Sequence, residues 1–206
     1  MIDIDTSETE RVRLIGRETL YKGFVSLEKL TFEQHMRDGS LVTVHREVHD
    51  HGSAAAILLH DAKDDTVVLV RQFRAGAFVN GDAAFMLELP AGLIDEGENP
   101  AEAVVREAME ETGFKIDEVH HICEMYPTPG ALTEKLSLFA ASIDATHKLG
   151  QGGGLAGEGE DIEVVTLGLD EAYRMISTGE ITDAKTIVAL QWAMINRAAL
   201  SSGNLG

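Results

Sequence analysis

Three glutamates near the middle of the chain have the residue type and spacing of a metal-ligand set. Glu107, Glu110 and Glu111 stand at positions i, i+3 and i+4, so in a helix they lie on one face. Each close pair of carboxylates costs about a few tenths of a kcal/mol through repulsion. Arg106 can pair with Glu110 at i+4, which leaves the other two without a local cation. The face alone fits either a solvated acidic surface or a site for divalent cations, which prefer oxygen ligands.

The segment that carries these glutamates has the start and stop signals of a helix over residues 99–113. Asn99 is a suitable N-cap, Pro100 suits the first helical position and Gly113 ends the helix. The apolar residues fall on an arc away from the glutamates: Ala101, Val104, Val105, Ala108 and Met109. We therefore expect this helix to pack through one face and to present its carboxylates on another.

The sequence around this helix resembles the signature of the Nudix hydrolases. The stretch from Gly92 to Phe114 reads GLIDEGENPAEAVVREAMEETGF. The family pattern is Gly, five residues, Glu, seven residues, Arg-Glu, an apolar residue, any residue, Glu-Glu, any residue, Gly and an apolar residue. Each specified position is met, with the small Ala108 at the first apolar one. The resemblance implies an α/β fold, a Nudix-type α/β/α sandwich with a mixed β-sheet, and hydrolysis of a nucleoside diphosphate linked to a further group.

The resemblance also implies roles for individual residues of this segment. Mg²⁺ or Mn²⁺, two to three ions per site, would be held by one backbone carbonyl and three carboxylates: Ala91, Glu107, Glu110 and Glu111. Glu111 is also counted among the catalytic residues. Arg106 and Glu98 are expected to form a structural pair that fixes the preceding loop on the helix.

Several segments outside the signature are similar to the ADP-ribose and nucleotide-sugar pyrophosphatases of this family. They are residues 67–74, 88–92, 126–134, 154–164 and 183–192. Residues 74–81 and the glycines at 152–154 are similar to the GDP-mannose group, whereas the standard signature favours ADP-ribose. Thr128 and Ala131 depart from the Ser-Pro-Gly-Gly pattern of the third segment. We expect hydrolysis of ADP-ribose to AMP and ribose 5-phosphate. The alternatives are GDP-mannose, CoA or a dinucleoside polyphosphate as substrate, and a non-catalytic nucleotide-sugar sensor.

The general base is expected in a glycine-rich loop at residues 150–159. Glycine hinges suit a loop that moves over a bound substrate, so this loop is predicted to be mobile. By resemblance a glutamate here takes a proton from the attacking water. Glu158 is the first candidate and Glu160 the second, with Glu134 as a further candidate for the base or for a metal contact.

Four residues are candidates for substrate binding. Arg46 and Arg74 stand where the family places a cation against phosphate or ribose, and a guanidinium suits bidentate contacts with phosphate. Glu134 belongs to a segment that resembles sugar-specific relatives. Phe24 lies in N-terminal strands that resemble the dimer-forming segment, and its ring is expected to stack on the base across a homodimer.

The order of the remaining elements favours a layered α/β fold. We expect a β-strand segment at residues 1–50, used for dimerisation, followed by a Nudix domain at residues 51–206. Strands are predicted at 24–34, 41–48, 54–59, 66–70, 85–89, 119–126, 135–142 and 162–167. Helices are predicted at 99–113, 169–177 and 183–199.

The composition narrows the classes of partner. The 206 residues hold 17 Lys and Arg against 35 Asp and Glu, which gives a formal net charge of −18. This charge argues against nucleic-acid polymers and anionic membranes as partners, because both require a basic surface. The single cysteine, Cys123, cannot form an intrachain disulfide, and the N-terminus lacks the layout of a signal peptide. We therefore expect a cytoplasmic protein whose small anionic substrate is bound through divalent cations.

Overall fold

The computed structural model describes residues 10–155, 157 and 159–202. The chain divides into two compact units. The small unit comprises Met1–Gly52 and Thr128–Glu134, and the large unit comprises Ser53–Pro127 and Lys135–Gly206. The small unit thus includes a segment that the sequence placed in the second domain. Its predicted use in dimerisation stays a prediction.

The small unit is built on a three-stranded antiparallel sheet. Its strands are β1 (Val12–Lys22), β2 (Ser26–His35) and β3 (Leu41–Asp50), in that order across the sheet. A tight turn joins β2 and β3. Asp38 accepts hydrogen bonds from the amide and hydroxyl of Ser40, at 2.9 and 2.6 Å, and Gly39 has a φ of 86°. β1 is a strand that the sequence pattern did not identify.

Residues 128–134 join the small unit along the end of β3. The His49 amide donates to the Ala131 carbonyl at 2.8 Å, and the Thr133 amide donates to the His49 carbonyl at 3.0 Å. The Thr133 hydroxyl also donates to Asp50 at 2.6 Å. The backbone groups at the end of β3 are therefore paired with residues 128–134, although 83 positions separate Asp50 from Thr133. Pairing over such a distance has no local sequence signal.

The large unit is built on a seven-stranded mixed sheet. Its strands are β4 (Ala54–Asp61), β5 (Thr66–Phe73), β6 (Phe85–Glu88), β7 (Ala91–Leu93), β8 (His120–Met125), β9 (Leu136–Ile143) and β10 (Glu163–Gly168). The main order is β10-β5-β4-β9-β8, while β6 pairs with β5 and β7 pairs with β4. The β4–β9 pair is parallel and the other pairs are antiparallel. The predicted mixed sheet is confirmed.

Five α-helices and one short 3₁₀ helix are described in the large unit. They are α1 (Ala75–Asn80), α2 (Pro100–Thr112), the 3₁₀ helix (Ala145–His147), α3 (Leu169–Thr178), α4 (Ala184–Ile195) and α5 (Arg197–Ser202). The predicted helix at 183–199 is two helices, because α4 ends at Asn196, whose side chain donates to the Trp192 carbonyl at 2.9 Å. Among the described residues, no helix combines the length and apolar character needed to cross a membrane. The cytoplasmic location stays a prediction.

Strand β4 places apolar residues on both faces of the sheet. Ala54, Ala56 and Leu58 pack into a core shared with α3 and α4. The alternate residues pack into a second core shared with α2: Ala55, Ile57 and Leu59. A continuous apolar run is typical of a strand that is covered on both faces. The large unit therefore has helices on both sides of its sheet, and the predicted α/β/α arrangement is confirmed.

Helix α2 begins and ends as its sequence predicts. The Asn99 side chain accepts a hydrogen bond from the Ala101 amide at 2.9 Å, and Pro100 occupies the first turn. Gly113 ends the helix in the left-handed conformation, with a φ of 75°. Ala103, Val104 and Ala108 are buried. The packing of these residues fixes the rotation of α2 and therefore the direction of its glutamates.

The described part of the glycine-rich loop is bonded to the C-terminal end of α2. The amides of Gly153 and Gly154 donate to the carbonyls of Glu111 and Glu110 at 2.9 and 3.1 Å. These carbonyls belong to the last turn of α2, where carbonyl groups have no hydrogen-bond donors within the helix. Gly152 approaches so closely that a Cβ there would clash with the Glu111 carbonyl and the Thr112 backbone. The glycines in this part of the loop allow close backbone contact with the helix. The predicted mobility of the loop stays a prediction.

We predict that Gly152→Ala releases this loop from α2. The new Cβ would meet backbone atoms, and the φ of 72° disfavours any residue other than glycine. Cleavage by trypsin after Lys148 should become faster, as followed by mass spectrometry. Gly157→Ala is the matched control, because a Cβ at Gly157 meets nothing within 4 Å. Equal cleavage rates in the two variants would contradict the close contact.

Candidate active site

Glu111 is a buried carboxylate near the end of α2. Glu111 as a whole is 2% exposed. One oxygen accepts a hydrogen bond from the Ala91 amide at 2.9 Å, and the other accepts from the Gln72 side chain at 3.3 Å. The helix, the start of β7 and strand β5 therefore meet at this carboxylate. No pattern in the sequence indicates the contact of Gln72 with Glu111.

The backbone of Ala91 faces α2. The neighbouring Pro90 carbonyl accepts a hydrogen bond from the Ile57 amide of β4 at 3.0 Å. Backbone groups of successive residues in an extended strand point to opposite sides, and the amide and carbonyl of one residue point to the same side. Since the Ala91 amide is bonded to Glu111, its carbonyl is directed to the same side. This direction is compatible with the predicted carbonyl ligand.

Arg106 holds the other two glutamates of the face. Its guanidinium donates to Glu107 at 2.7 Å and to Glu110 at 3.4 Å. It also makes two bonds with Glu98, at 3.1 and 3.0 Å, and one with the Leu93 carbonyl at 3.2 Å. The expected pair of Arg106 and Glu98 is therefore present. The same arginine also balances part of the charge of the two carboxylates on its own helix.

Gly92 lies directly beneath the Glu107 carboxylate. A Cβ at this position would clash with the carboxylate carbon and both of its oxygens. A larger residue at this position would displace the Glu107 carboxylate, which is the end of a flexible side chain, and its nearest contacts would not be with backbone. The close approach of β7 brings the backbone beside Ala91 into the same region as Glu107.

Glu160 belongs to the same cluster of acidic groups. Its side chain accepts a hydrogen bond from the Leu155 amide at 2.9 Å. It also lies so close to Gly154 that a Cβ there would clash with it. Its charge acts on both Glu107 and Glu111. The structure therefore brings the second candidate for the base near the helix glutamates. The first candidate, Glu158, lies outside the described residues.

The electrostatics of the cluster show an excess of negative charge. Burial, followed by the charges of Glu107 and Glu160, raises the pKa of Glu111 to about 8, although the Ala91 amide opposes the shift. Burial also raises the pKa of Glu107, despite its contact with Arg106. A carboxyl whose pKa is raised in this way is stabilised as an anion when a cation binds beside it. The site therefore has the charge that divalent cations would offset.

The donor atoms fit Mg²⁺ or Mn²⁺ in kind. Carboxylate and carbonyl oxygens are the ligands that such ions prefer. In the part of the chain that the structure describes, no three acidic, histidine or cysteine side chains converge as a ready metal site. The reason is that Glu107 and Glu110 are turned to Arg106, while Glu111 is turned to the Ala91 amide. Binding of a metal ion therefore requires these side chains to rotate.

A second charged cluster surrounds Arg74. Its guanidinium makes a bidentate pair with Glu88, at 2.6 and 2.9 Å, and Lys185 donates to the same carboxylate at 2.5 Å. Burial favours the neutral form of Glu88, but Arg74 and Lys185 outweigh it and lower the pKa of this carboxyl. The charge of Glu111 also acts on Arg74. The sequence analysis predicts no role for Glu88 or Lys185. The one sequence feature that marks Glu88 is that this acid ends the otherwise apolar strand β6.

The other predicted site residues belong to the small unit. Phe24 is 87% exposed in the turn between β1 and β2. Arg46 on β3 donates to the carbonyl of its neighbour His45 at 2.8 Å. Glu134 lies 3.8 Å from the His51 ring nitrogen. Their roles in substrate binding stay predictions.

The glutamate face, the Ala91 backbone and the glycine beneath Glu107 are matched by a family model. Residues 50–190 match the model described as NUDIX domain. The chain belongs to the Nudix family. Residues 11–49 match a second model, described as GDP-mannose pyrophosphatase NudK N-terminal domain.

Curated relatives cover nearly the whole chain. One from Escherichia coli O1:K1 / APEC is 39% identical over 189 residues, which is 91% of this chain and 97% of the relative. Another, from Escherichia coli strain SMS-3-5 / SECEC, is 40% identical over 185 residues, or 89% and 95% of the two chains. A third, from Shigella dysenteriae serotype 1, is 39% identical over 189 residues, or 91% and 97%. Each bears the name GDP-mannose pyrophosphatase.

The predicted enzyme class is thereby confirmed. This Nudix hydrolase is a nucleoside diphosphate sugar pyrophosphatase. Nudix enzymes generally use a divalent metal such as Mg²⁺. The preference for ADP-ribose, the number of ions and the homodimer stay predictions.

We predict that the metal-free Nudix protein loses stability as the pH rises from about 5 to 8. The folded pKa of Glu111, about 8, exceeds its ordinary value of 4.5. Below 4.5 both states hold the proton; above it the unfolded chain releases the proton first, so folding becomes less favourable up to about pH 8. The raised pKa of Glu107 acts in the same direction. Urea unfolding in EDTA at several pH values measures the slope.

Glu111→Gln is the variant that isolates this effect. It removes the titrating group, so the free energy of unfolding should fall less steeply between pH 5 and 8 than in the wild type. Glu102→Gln, an exposed acid on the same helix, should keep the wild-type slope. A wild-type slope in Glu111→Gln would show that Glu111 does not carry the shift.

Proposed function

We propose that this Nudix hydrolase cleaves the diphosphate of GDP-mannose, giving GMP and mannose 1-phosphate. The proposal is supported by a family model over the N-terminal residues and by relatives that cover most of the chain. The N-terminal residues match a model named for GDP-mannose pyrophosphatase, and the relatives that cover 89–91% of the chain bear the same name. The agreement of both parts is the observation that carries the proposal.

ADP-ribose, the substrate first predicted from the sequence, is the second candidate. It is supported by the standard form of the signature from Gly92 to Phe114. The two substrates share the diphosphate and differ at the base and at the sugar. The glutamates of α2 act on the part that both share, so they do not discriminate between them. Discrimination must come from contacts outside α2.

The proposed metal ligands are the predicted ones: the Ala91 carbonyl and the carboxylates of Glu107, Glu110 and Glu111. Two to three Mg²⁺ or Mn²⁺ ions bound there would offset the charge of the diphosphate and make its phosphorus more open to attack. The three carboxylates belong to one helix, and they would rotate away from their present partners to bind the ions. Glu111 is fixed by two hydrogen bonds, and Arg106 keeps Glu107 and Glu110 on one side of the helix.

Arg74 is the proposed cation for the diphosphate in the large unit. Its side chain is 40% exposed while Glu88 fixes its other edge. Arg46, Glu134 and Phe24 are proposed to contact the substrate from the small unit, with Phe24 stacking on the base across a homodimer. The small unit is proposed as the dimerisation segment.

A glutamate of the glycine-rich loop is proposed as the general base. It would accept one proton from the water that attacks phosphorus, while the leaving phosphate departs with the bonding electron pair. Glu158 is the first candidate and Glu160 the second. The second candidate is supported by its position, since its charge acts on Glu107 and Glu111. Glu134 stays a further candidate.

A non-catalytic nucleotide-sugar sensor is the alternative from another class. A binding module has no need for a complete set of metal-ligand glutamates with a further acid beside them. Here Glu107, Glu110 and Glu111 are present together with Glu160. The set therefore favours the hydrolase.

We predict metal-dependent turnover of GDP-mannose that requires Glu111. The purified protein should release GMP with Mg²⁺ or Mn²⁺ and lose this activity in EDTA. Glu111→Gln should lower kcat by about 10²-fold or more, because it removes a ligand charge that the transition state requires. Glu102→Gln is the control and should keep wild-type kcat. Products are quantified by ion-exchange chromatography.

A panel of GDP-mannose, ADP-ribose, CoA and diadenosine polyphosphate decides the substrate. The highest kcat/KM for GDP-mannose supports the proposal, and the highest value for ADP-ribose replaces it with the second candidate. Tight binding of one compound without turnover of any would favour the sensor. Full activity of Glu111→Gln with unchanged metal dependence would overturn the metal assignment.

We predict that the loop base is revealed by its pH profile. Glu158→Gln should lower kcat by about 10²–10⁴-fold with little change in KM, and the acidic limb of the pH–rate profile should disappear. Glu160→Gln is measured in parallel, and Asp161→Asn, a neighbouring exposed acid, is the control. If Glu158→Gln keeps the wild-type rate and Glu160→Gln does not, the base is Glu160. Wild-type rates in both would move the role to Glu134.

A further inference from the structure

Glu111 differs from the other two glutamates of its helix face in the kind of group that holds it. Those two glutamates are bonded to the cationic Arg106. In the described part of the chain, Glu111 is instead bonded to two neutral donors, the backbone amide of Ala91 and the side-chain amide of Gln72. A neutral donor orients a carboxylate without cancelling its charge, so the ionised Glu111 keeps its attraction for a cation.

The two donors differ in their freedom to move. The Ala91 amide belongs to β7, which is fixed by pairing with β4 and by the bond from the Ile57 amide to the Pro90 carbonyl at 3.0 Å. The Gln72 amide stands at the end of a side chain with two methylene groups. Its distance to Glu111 is 3.3 Å, slightly beyond the range of about 2.7–3.2 Å that is usual for such bonds. If Glu111 turns, the bond to Ala91 breaks, whereas Gln72 can follow the carboxylate.

The position of Gln72 is one that would ordinarily hold an apolar residue. Side chains alternate along β5, and Val68, on the same face, packs into the core shared with α2. Gln72 is 8% exposed. A buried amide without a hydrogen bond is unfavourable, and among the described residues the Gln72 side chain makes one such bond, to Glu111. The contact with Glu111 therefore accounts for a polar residue on this face of the strand.

We propose that Gln72 is a positioning residue for Glu111. It holds the carboxylate while Glu111 turns from the Ala91 amide towards a divalent cation, and so limits the orientations that this side chain can adopt. The proposal rests on the proposed function of Glu111 as a metal ligand. Gln72 itself needs no contact with the cation or the substrate, because its donor group faces the carboxylate.

The test measures Mn²⁺ binding to the substrate-free protein by electron paramagnetic resonance, so it does not depend on which nucleotide sugar is hydrolysed. Gln72→Met removes the donor and keeps a side chain of similar size. It should raise the Kd for Mn²⁺ by about 10-fold, at the lower end of the effect of losing a partner that orients a ligand. In the Glu111→Gln background, Gln72→Met should cause no further rise, because the ligand on which it acts is already lost. A packing role alone would leave the Kd unchanged and lower only the free energy of unfolding.

Controls separate the possible failures. Arg71→Met changes the preceding residue of β5, whose side chain is 43% exposed and pairs with Glu163 at 3.5 Å, and it should keep the wild-type Kd. If Gln72→Met does not fold, as judged by circular dichroism, Gln72→Asn takes its place, because its amide is one methylene group shorter. A wild-type Kd in the Gln72 variant, together with a raised Kd in Glu111→Gln, overturns the role of Gln72. A wild-type Kd in Glu111→Gln instead overturns the ligand role of Glu111 and with it the basis of the proposal.

Discussion

The crowding of carboxylates at the end of α2 is the constraint on which the site depends. Glu111 is buried beside the charges of Glu107 and Glu160, and burial with these charges raises its pKa to about 8. An arrangement of this kind is unfavourable by itself, so it must be held by other groups. The Ala91 amide and the Gln72 side chain bind Glu111, while Arg106 binds Glu107. The buried carboxylates thus destabilise the metal-free fold, and the same carboxylates supply the negative charge that would bind cations.

Glycines make this crowding possible by letting backbone approach the helix. Gly92 leaves room for the Glu107 carboxylate, and Gly152 leaves room for the last turn of α2. The amides of Gly153 and Gly154 then satisfy carbonyls of the helix end. The loop that carries Glu160 is therefore attached to the same residues whose side chains are the proposed ligands. A shift of the helix would move ligands and loop together.

The sequence predicts what is decided locally. Asn99, Pro100 and Gly113 define α2 through capping rules, and the apolar run of β4 signals a strand covered on both faces. The sequence pattern missed elements that depend on distant partners or lack a core face. α1 has six residues and none is buried. Glu88 and Lys185 are 97 positions apart, so no spacing rule connects them. The contacts of the loop glycines with α2 are equally long-range, so the sequence pattern did not indicate them.

The two arginines beside the acidic groups differ in the number of carboxylates that bind them. Arg106 is bonded to Glu98, Glu107 and Glu110, and its hydrogen bonds to Glu98 lower the pKa of that carboxyl. Its positive charge is therefore already balanced by the protein. The charge of Arg74 is shared with one carboxylate, which is also bound by Lys185. In a chain with a net charge of −18, an anionic diphosphate requires local regions of opposite sign. Arg74 supplies a guanidinium whose side chain is 40% exposed, and the glutamate face acquires positive charge only when cations bind.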